Sequence, residues 1–323
     1  MQKYVKFFYK CILVALPFIA VIAFTFVFPM AYMDNEYPKR AYTRDVICGD
    51  ISYDTVILGD SRAVADILPA ELNGAVSLAN GGATAIENYY YLKDYIKNHG
   101  APKKCIIAFA PFHYDNIDNF WNRTVYFNDL TVWEMREVRK LAKNIGDTSV
   151  VSTGGDTADI ISNRLRLPHV YMPALINSHF IGRYSDNKRL YSQIEENLGH
   201  QLYGTEDGSS DLNYEVNYTS VSETSDAKLI GEYLLKLMDL CDEYEIETYV
   251  ISLPMNESSY RKLNESYVLS LSMFLRSLGD LYPSAIVETE QIMYEDALFG
   301  DSSHLNEKGA GIFTEELKSR YGL

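Results

Sequence analysis

Three short apolar runs, each cut off by glycine or proline, restrict what this chain can fold into more than any other feature. Thr55–Leu58 stops at Gly59, Ala75–Ala79 runs into Asn80-Gly81-Gly82, and Cys105–Ala110 stops at Pro111. Runs that are apolar at consecutive positions belong to strands covered on both faces, the situation of a parallel sheet. A helical pattern joins the second run to the third. Thr84 is placed to cap it and Glu87, three residues on, to complete a capping box; Gly100 and Pro102 stop it after His99. The alternation returns near the C-terminus. A helix over Asp226–Tyr244 precedes a strand over Glu247–Leu253, stopped by Pro254. A helix over Ser258–Leu278, a short strand over Ser284–Glu288 and a last helix over Asn306–Tyr321, capped by Asn306, complete the pattern. Five strands alternating with helices predict a three-layer α/β/α domain over residues 54–323 with a parallel five-stranded sheet.

Residues 112–225 interrupt this order. Helical patterns lie near Thr131–Lys143, Thr157–Arg166 and Lys188–Leu198. A Pro/His/Tyr segment covers Leu167–Phe180, and a polar run covers Gly199–Ser225. More than 100 residues is too long for a simple crossover, so the stretch reads as a mostly helical insertion forming a cap or wall beside the sheet edge. The tyrosine stripe Tyr89, Tyr90, Tyr91 and Tyr95 reads as core packing.

The first 33 residues are of another kind. Lys3, Lys6 and Lys10 precede 23 uncharged residues, Cys11–Met33, enough to cross a bilayer core of about 30 Å as a helix. The positive flank predicts a cytoplasmic N-terminus and an extracytoplasmic remainder, a single-pass cell-membrane protein with residues 11–33 in lipid. The rival reading, a cleaved signal peptide, lacks a small-x-small cleavage site. Residues 34–53 read as a stalk, or as a segment laid along the domain. Setting the three anchor lysines aside leaves 26 basic against 44 acidic residues, a net charge of −18. That balance argues against nucleic acid, which needs clustered Lys and Arg. The four cysteines, Cys11, Cys48, Cys105 and Cys241, show no CxxC or Cys/His ligand spacing, so no metal site is expected. One disulfide among the last three is open; buried free thiols are the simpler reading.

Two separated stretches carry chemistry. Gly59-Asp60-Ser61 follows a buried strand, where a tight turn lifts a hydroxyl out of a sheet toward a helix N-terminus. Asp301 and His304 lie three apart between the fifth strand and the last helix. That spacing lets the carboxylate hold Nδ1–H of the imidazole and leaves Nε2 free as a base, the help that a serine nucleophile needs at neutral pH. In open parallel α/β sheets such groups gather at the carboxyl ends of the strands. Each piece alone reads as an ordinary turn, cap or loop residue; together they point to a Ser–His–Asp triad. Arg62 reads as holding an anionic group or as salt-bridged. His169, His179 and His200, with Trp121 and Trp133, read as surface or packing residues.

Three of these blocks, Gly59-Asp60-Ser61, Asn80-Gly81-Gly82-Ala83-Thr84 and Asp301-Ser302-Ser303-His304-Leu305-Asn306, resemble signature blocks of the SGNH (GDSL-type) hydrolase superfamily. The resemblance covers residues 54–111 and 226–323. It implies a flavodoxin-like fold with Ser61 as nucleophile, His304 as general base and Asp301 as its orienting partner. It also implies an oxyanion hole containing the N–H groups of Ser61 and Gly82. The third donor of that family, an asparagine after the third strand, has no clean counterpart in Ala110-Pro111-Phe112-His113-Tyr114-Asp115-Asn116. His113 or Asn116 supplies it, or the hole has two donors. The anchor makes the chain similar to the extracytoplasmic acyl-transfer proteins of cell-surface polymer modification, the D-alanyl transfer protein of teichoic-acid systems and the alginate O-acetylation proteins. These work beside a multispan membrane O-acyltransferase.

The expected function is therefore a cofactor-free, extracytoplasmic serine acyl-esterase or O-acyltransferase acting on an acylated glycan or polymer. The insertion is suited to deciding between water and an alcohol as acceptor. The alternative is a non-catalytic surface or scaffold protein with the same fold, binding a polymer or a membrane acyltransferase.

Overall fold

A computed structural model describes residues 2–114, 116–117, 120–150, 156–165, 168–179, 183–221 and 228–323. Its strands are β1 (Thr55–Gly59), β2 (Ala75–Ser77), β3 (Lys104–Ala108), β4 (Glu247–Val250), β5 (Met255–Asn256), β6 (Ile286–Val287) and β7 (Met293–Tyr294). Five of them form one parallel sheet in the order β2-β1-β3-β4-β6, the 2-1-3-4-5 order of flavodoxin-type sheets, with β1 central enough to pair on both edges. Ile57 lies opposite Ser77 on one side and Ile106 on the other. β5 and β7 form a small second parallel sheet that the sequence did not announce.

The helices are α1 (Gln2–Val27), α2 (Tyr37–Cys48), α3 (Ser61–Asp66), α4 (Ala85–His99), α5 (Val132–Ile145), α6 (Asp156–Arg164), α7 (Pro168–Asn177), α8 (Tyr184–Glu196), α9 (Lys228–Glu243), α10 (Glu257–Tyr260), α11 (Glu265–Leu281) and α12 (Glu307–Tyr321). Successive strand residues point to opposite faces, and the two cores divide accordingly. Val56, Leu58, Val76, Cys105, Ile107 and Val250 face α4, α9 and α11 through Leu92, Leu234 and Leu275. Ile57, Ala75, Ile106, Ala108 and Tyr249 face α3 and α12 through Val64, Phe313 and Leu317. The three layers follow.

Several boundaries move for local reasons. The helix expected over Ser258–Leu278 is two, because Asn264 accepts from the Ser266 N–H and starts α11 afresh. The Thr84–Glu87 capping box and the Asn306 cap both form. Within the insertion, α8 starts at Tyr184, ahead of the expected Lys188. Residues 166–167, 180 and 222–227, where several expected boundaries fall, lie outside the described residues, as does the His169 side chain.

Residues 34–53 take the second of the two expected forms, a segment laid along the domain and not a free stalk. α2 occupies them and packs on α4 and α8. Three of its polar side chains, Lys39, Arg40 and Thr43, are buried with partners. Lys39 Nζ donates to Thr43 Oγ1 and to the Ser77 carbonyl, each at 3.0 Å. Burial, with Arg40 beside it, holds Lys39 well below the usual lysine range. Arg40 Nη2 donates to the Gly81 carbonyl at 2.7 Å, and Arg40 also pairs with Asp129. α2 is therefore an integral helix of the domain.

The N-terminal helix is long and apolar enough, over Lys3–Val27, for a membrane-spanning or signal helix, and little of it is buried. It ends before the uncharged stretch does. Pro29 opens a single 3-10 turn, and Tyr32 and Met33 turn into a cluster with Tyr37, Ala41 and Phe127. The last residues of Cys11–Met33 thus belong to the domain. All four cysteines are free. Cys105 and Cys241 are buried thiol neighbours, and that contact with burial pushes the Cys105 thiol well up.

Candidate active site

The site grows from the end of β1. Gly59 has φ +152°, and a Cβ there would run into the Ala108 carbonyl of β3 and into Ala63. Only glycine lets the chain turn between the two strands at this point. Asp60 follows as the N-cap of α3, its Oδ1 accepting from the Arg62 N–H at 2.9 Å. Ser61 is the first residue of α3, so the unpaired N–H groups of that helix start lie around it. Asp60 Oδ2 accepts from the Ala110 N–H at 2.7 Å and from His113 Nδ1. Burial opposes the Asp60 charge, yet His113, Arg62 and the Ala110 N–H together outweigh it and hold this carboxyl below the usual range.

The loop between β7 and α12 brings the second half. His304 Nε2 lies 2.9 Å from Ser61 Oγ. His304 Nδ1 lies 2.9 Å and 3.1 Å from the two oxygens of Asp301. Asp301 is fixed by the N–H groups of Ser303 and His304, at 2.7 and 2.8 Å. Its partial burial pushes the carboxyl up, but the His304 contact and these N–H groups pull it below the ordinary value. A carboxylate so held sets the imidazole tautomer, with hydrogen on Nδ1 and a lone pair on Nε2 facing the serine hydroxyl. The structure brings together the three residues that sequence spacing singled out.

Gly82 sits in block two with φ +66°. That backbone conformation calls for glycine; a Cβ there would meet the Arg123 guanidinium, the mobile end of a long side chain. Among the described residues no hydrogen bond occupies its N–H. His113 spends its Nδ1 on Asp60 and is buried. Asn116 is half-buried, and its N–H bonds the Phe112 carbonyl at 2.9 Å. Arg62 is the salt-bridged alternative: Nη2 meets Glu215 Oε1 at 2.5 Å with both groups buried, and Tyr267 Oη donates to Glu215 Oε2 at 3.2 Å. Burial works against the Arg62 charge; the Glu215 carboxylate overrides it and pushes Arg62 up.

The tail of the insertion was not legible as part of the site. Residues 198–217 strap across it. Gln201 N–H bonds the Val64 carbonyl, and Glu206 N–H the Gly300 carbonyl. Gly204 crosses Gly300 so closely that a Cβ on either would strike the other's backbone. Asn213 Nδ2 donates to the Ser302 carbonyl at 3.3 Å and Ser303 Oγ at 3.1 Å. Tyr203 lays its ring on His304, with centroids 5.0 Å apart. Asp66, fully buried beneath, accepts from the Leu305 N–H at 2.9 Å, and burial pushes its carboxyl well up. Of the other residues noted from sequence, His200 bonds the Ala65 carbonyl, His179 is exposed, Trp121 packs on the core and Trp133 is exposed.

Comparison with protein-family models, with curated proteins and with solved structures returned no match. The fold and a triad-like site in an α/β/α domain stand on the geometry alone.

Proposed function

We propose that the protein is a serine acyl-esterase or O-acyltransferase of the SGNH type. The observation that carries this reading is the unbroken chain Asp301–His304–Ser61, with 2.9 Å at each link. In this reading His304 Nε2 takes the Ser61 proton as Oγ attacks an acyl carbonyl. Asp301 steadies the imidazolium, and the N–H groups of Ser61 and Gly82 receive the developing oxyanion. Protonated His304 then hands its proton to the leaving alcohol, and an acyl-Ser61 remains. Water or a second alcohol attacks it with His304 again as base. The 25-residue apolar helix at the N-terminus supports an anchored enzyme with its domain outside the membrane. An acylated envelope glycan or polymer is the proposed substrate class, and a multispan membrane O-acyltransferase the proposed partner; both follow from the family resemblance.

The test is ester turnover by the full-length protein in detergent, with p-nitrophenyl acetate as donor. Turnover that disappears in Ser61→Ala, with the variant still folded, supports the reading. No turnover above Ser61→Ala under any acceptor condition leaves the non-catalytic scaffold.

A further inference from the structure

The uncharged part of α1 falls a little short of a bilayer core. Lys10 is the last charged residue of the helix, and the run from Cys11 to the helix end at Val27 follows it. At about 1.5 Å per residue that run rises about 26 Å, against a hydrocarbon core of about 30 Å. Tilt shortens the reach further. With Lys10 at the cytoplasmic headgroups, the outer edge of the core therefore lies beyond Val27, and whatever packs at that level meets lipid. Phe26, Val27 and Phe28 are exposed there. The domain also reaches back to this level. Tyr32 Oη donates at 2.9 Å to the carbonyl of Thr25, which is itself buried in the last turn of α1. Phe24 of α1 packs on the cluster of Tyr32 and Met33, and so do Met172, Ala174 and Leu175 of α7. α7 thus stands beside the end of the apolar helix, and on its outer side Ile176 is 55% exposed.

The sequence around α7 is unlike the rest of this acidic chain. No Asp, Glu, Lys or Arg occurs from Leu167 to Gly182. Arg164, Arg166, Arg183, Lys188 and Arg189 surround that run, and Asp186 is the one acid between residues 160 and 190. An apolar segment with basic flanks is the pattern of an interfacial helix, whose flanks meet lipid phosphates while its apolar face enters the acyl region. A cleft of about 340 Å³ at the same junction has the matching gradient: Phe26, Pro29 and Met30 give it apolar lining, Arg44 and Asn128 polar lining. We infer that α7 is a second membrane contact, dipping through Ile176 into the headgroup–acyl boundary of the extracytoplasmic leaflet beside α1. The inference rests on the anchored reading of α1 and adds a second point of attachment. Two points fix how the domain faces the bilayer, which one helix cannot do. Glu36, beside Tyr37 of the cluster, holds Arg123 at 3.0 Å, and the Arg123 guanidinium lies over Gly82. The attachment thus keeps the Gly82 loop of the triad site near the membrane surface.

The test reads the depth of a label in the full-length protein, held in lipid nanodiscs of phosphatidylcholine and phosphatidylglycerol. Cys11→Ser with Cys48→Ser removes the two exposed thiols. A single cysteine for an environment-sensitive fluorophore is then introduced as Ile176→Cys. Val14→Cys on α1 and Leu269→Cys on α11 are the references; all three positions are exposed, so no substitution opens the core. Quenching by a nitroxide on the lipid acyl chain is compared with quenching by iodide in water. The label at 176 is expected about 5–10 Å below the lipid phosphates, quenched by the nitroxide and protected from iodide. The label at 269 is expected to behave in the opposite way. Lipid quenching at 14 without lipid quenching at 176 overturns the inference and keeps the anchor. Protection from iodide at 176 without lipid quenching means that a second copy of the chain covers α7, and it overturns the inference too. No lipid quenching at 14 overturns the anchored reading and the inference with it.

Discussion

In the proposed reading Ser61 is an ordinary hydroxyl activated by its neighbours, and each neighbour's share is measurable. Asp301→Asn keeps the shape but loses the charge that fixes the His304 tautomer; turnover is expected to fall on the order of 10³- to 10⁴-fold with little change in KM. The carboxyls also set the response of stability to pH. Asp60 and Asp301 are held below their ordinary values. Their contribution is fully present above the unfolded carboxyl range and is lost as pH falls through the folded values. Asp66 runs the other way. Its folded value is raised, so the folded state binds the extra proton and stability declines as pH climbs from the ordinary carboxylate value toward the folded one. Asp66→Asn, which mimics the protonated acid, is expected to raise Tm by a few degrees at pH 7 and to give no gain at pH 3, measured by thermal denaturation. At this scale the sequence was informative where chemistry demands a spacing. Asp301 and His304 three apart, and a serine after a strand-ending glycine, are rare enough together to be read. Tyr203 is one of 26 tyrosines, and nothing local marks it as the one that lies on His304.

Elements explain why the triad holds its shape. α3 and the Asp301 loop are tied together by the strap over residues 198–217 and by the buried Arg62–Glu215 pair. That pair joins the residue after the nucleophile to the end of the strap. Glu215→Ala leaves Arg62 buried without its partner and is expected to cost about 3–5 kcal/mol in chemical denaturation. The double change Arg62→Met with Glu215→Leu is expected to recover most of that loss, since two matched apolar groups replace two desolvated charges. The strands and flanking helices were legible because their apolar runs and caps are local signals. α2 was not. Its Lys39, Arg40 and Thr43 are polar by composition and buried by circumstance, and their partners, Ser77, Gly81 and Asp129, are known only once the chain is folded. The strap failed to declare itself for the same reason, because its role lies in backbone contacts such as Gly204 against Gly300 that no residue pattern records.

On the scale of the whole molecule, the apolar N-terminal helix and the domain meet within a few residues. Tyr32 and Met33 pack with Tyr37, Ala41 and Phe127, and α2 then reaches the loop that carries Gly82 through Arg40 and the Gly81 carbonyl. A chain beginning at Pro29 retains this connection and is expected to fold as a stable domain. One beginning at Asp54 lacks α2, exposes the faces of α4 and α8 that α2 covers, and is expected to be degraded rapidly in limited proteolysis. The apolar character of α1 is local and was read directly; that the helix stops at Val27 and that Tyr32 and Met33 then pack into the domain was not, since they are as uncharged as the span before them. The central claim is that this architecture activates Ser61. Its most direct measurement is mass spectrometry of the full-length protein after reaction with a fluorophosphonate. The expected result is one adduct, on Ser61, absent in Ser61→Ala and strongly slowed in His304→Gln. A folded protein that carries no adduct on Ser61, or carries it at the same rate without His304, contradicts the claim.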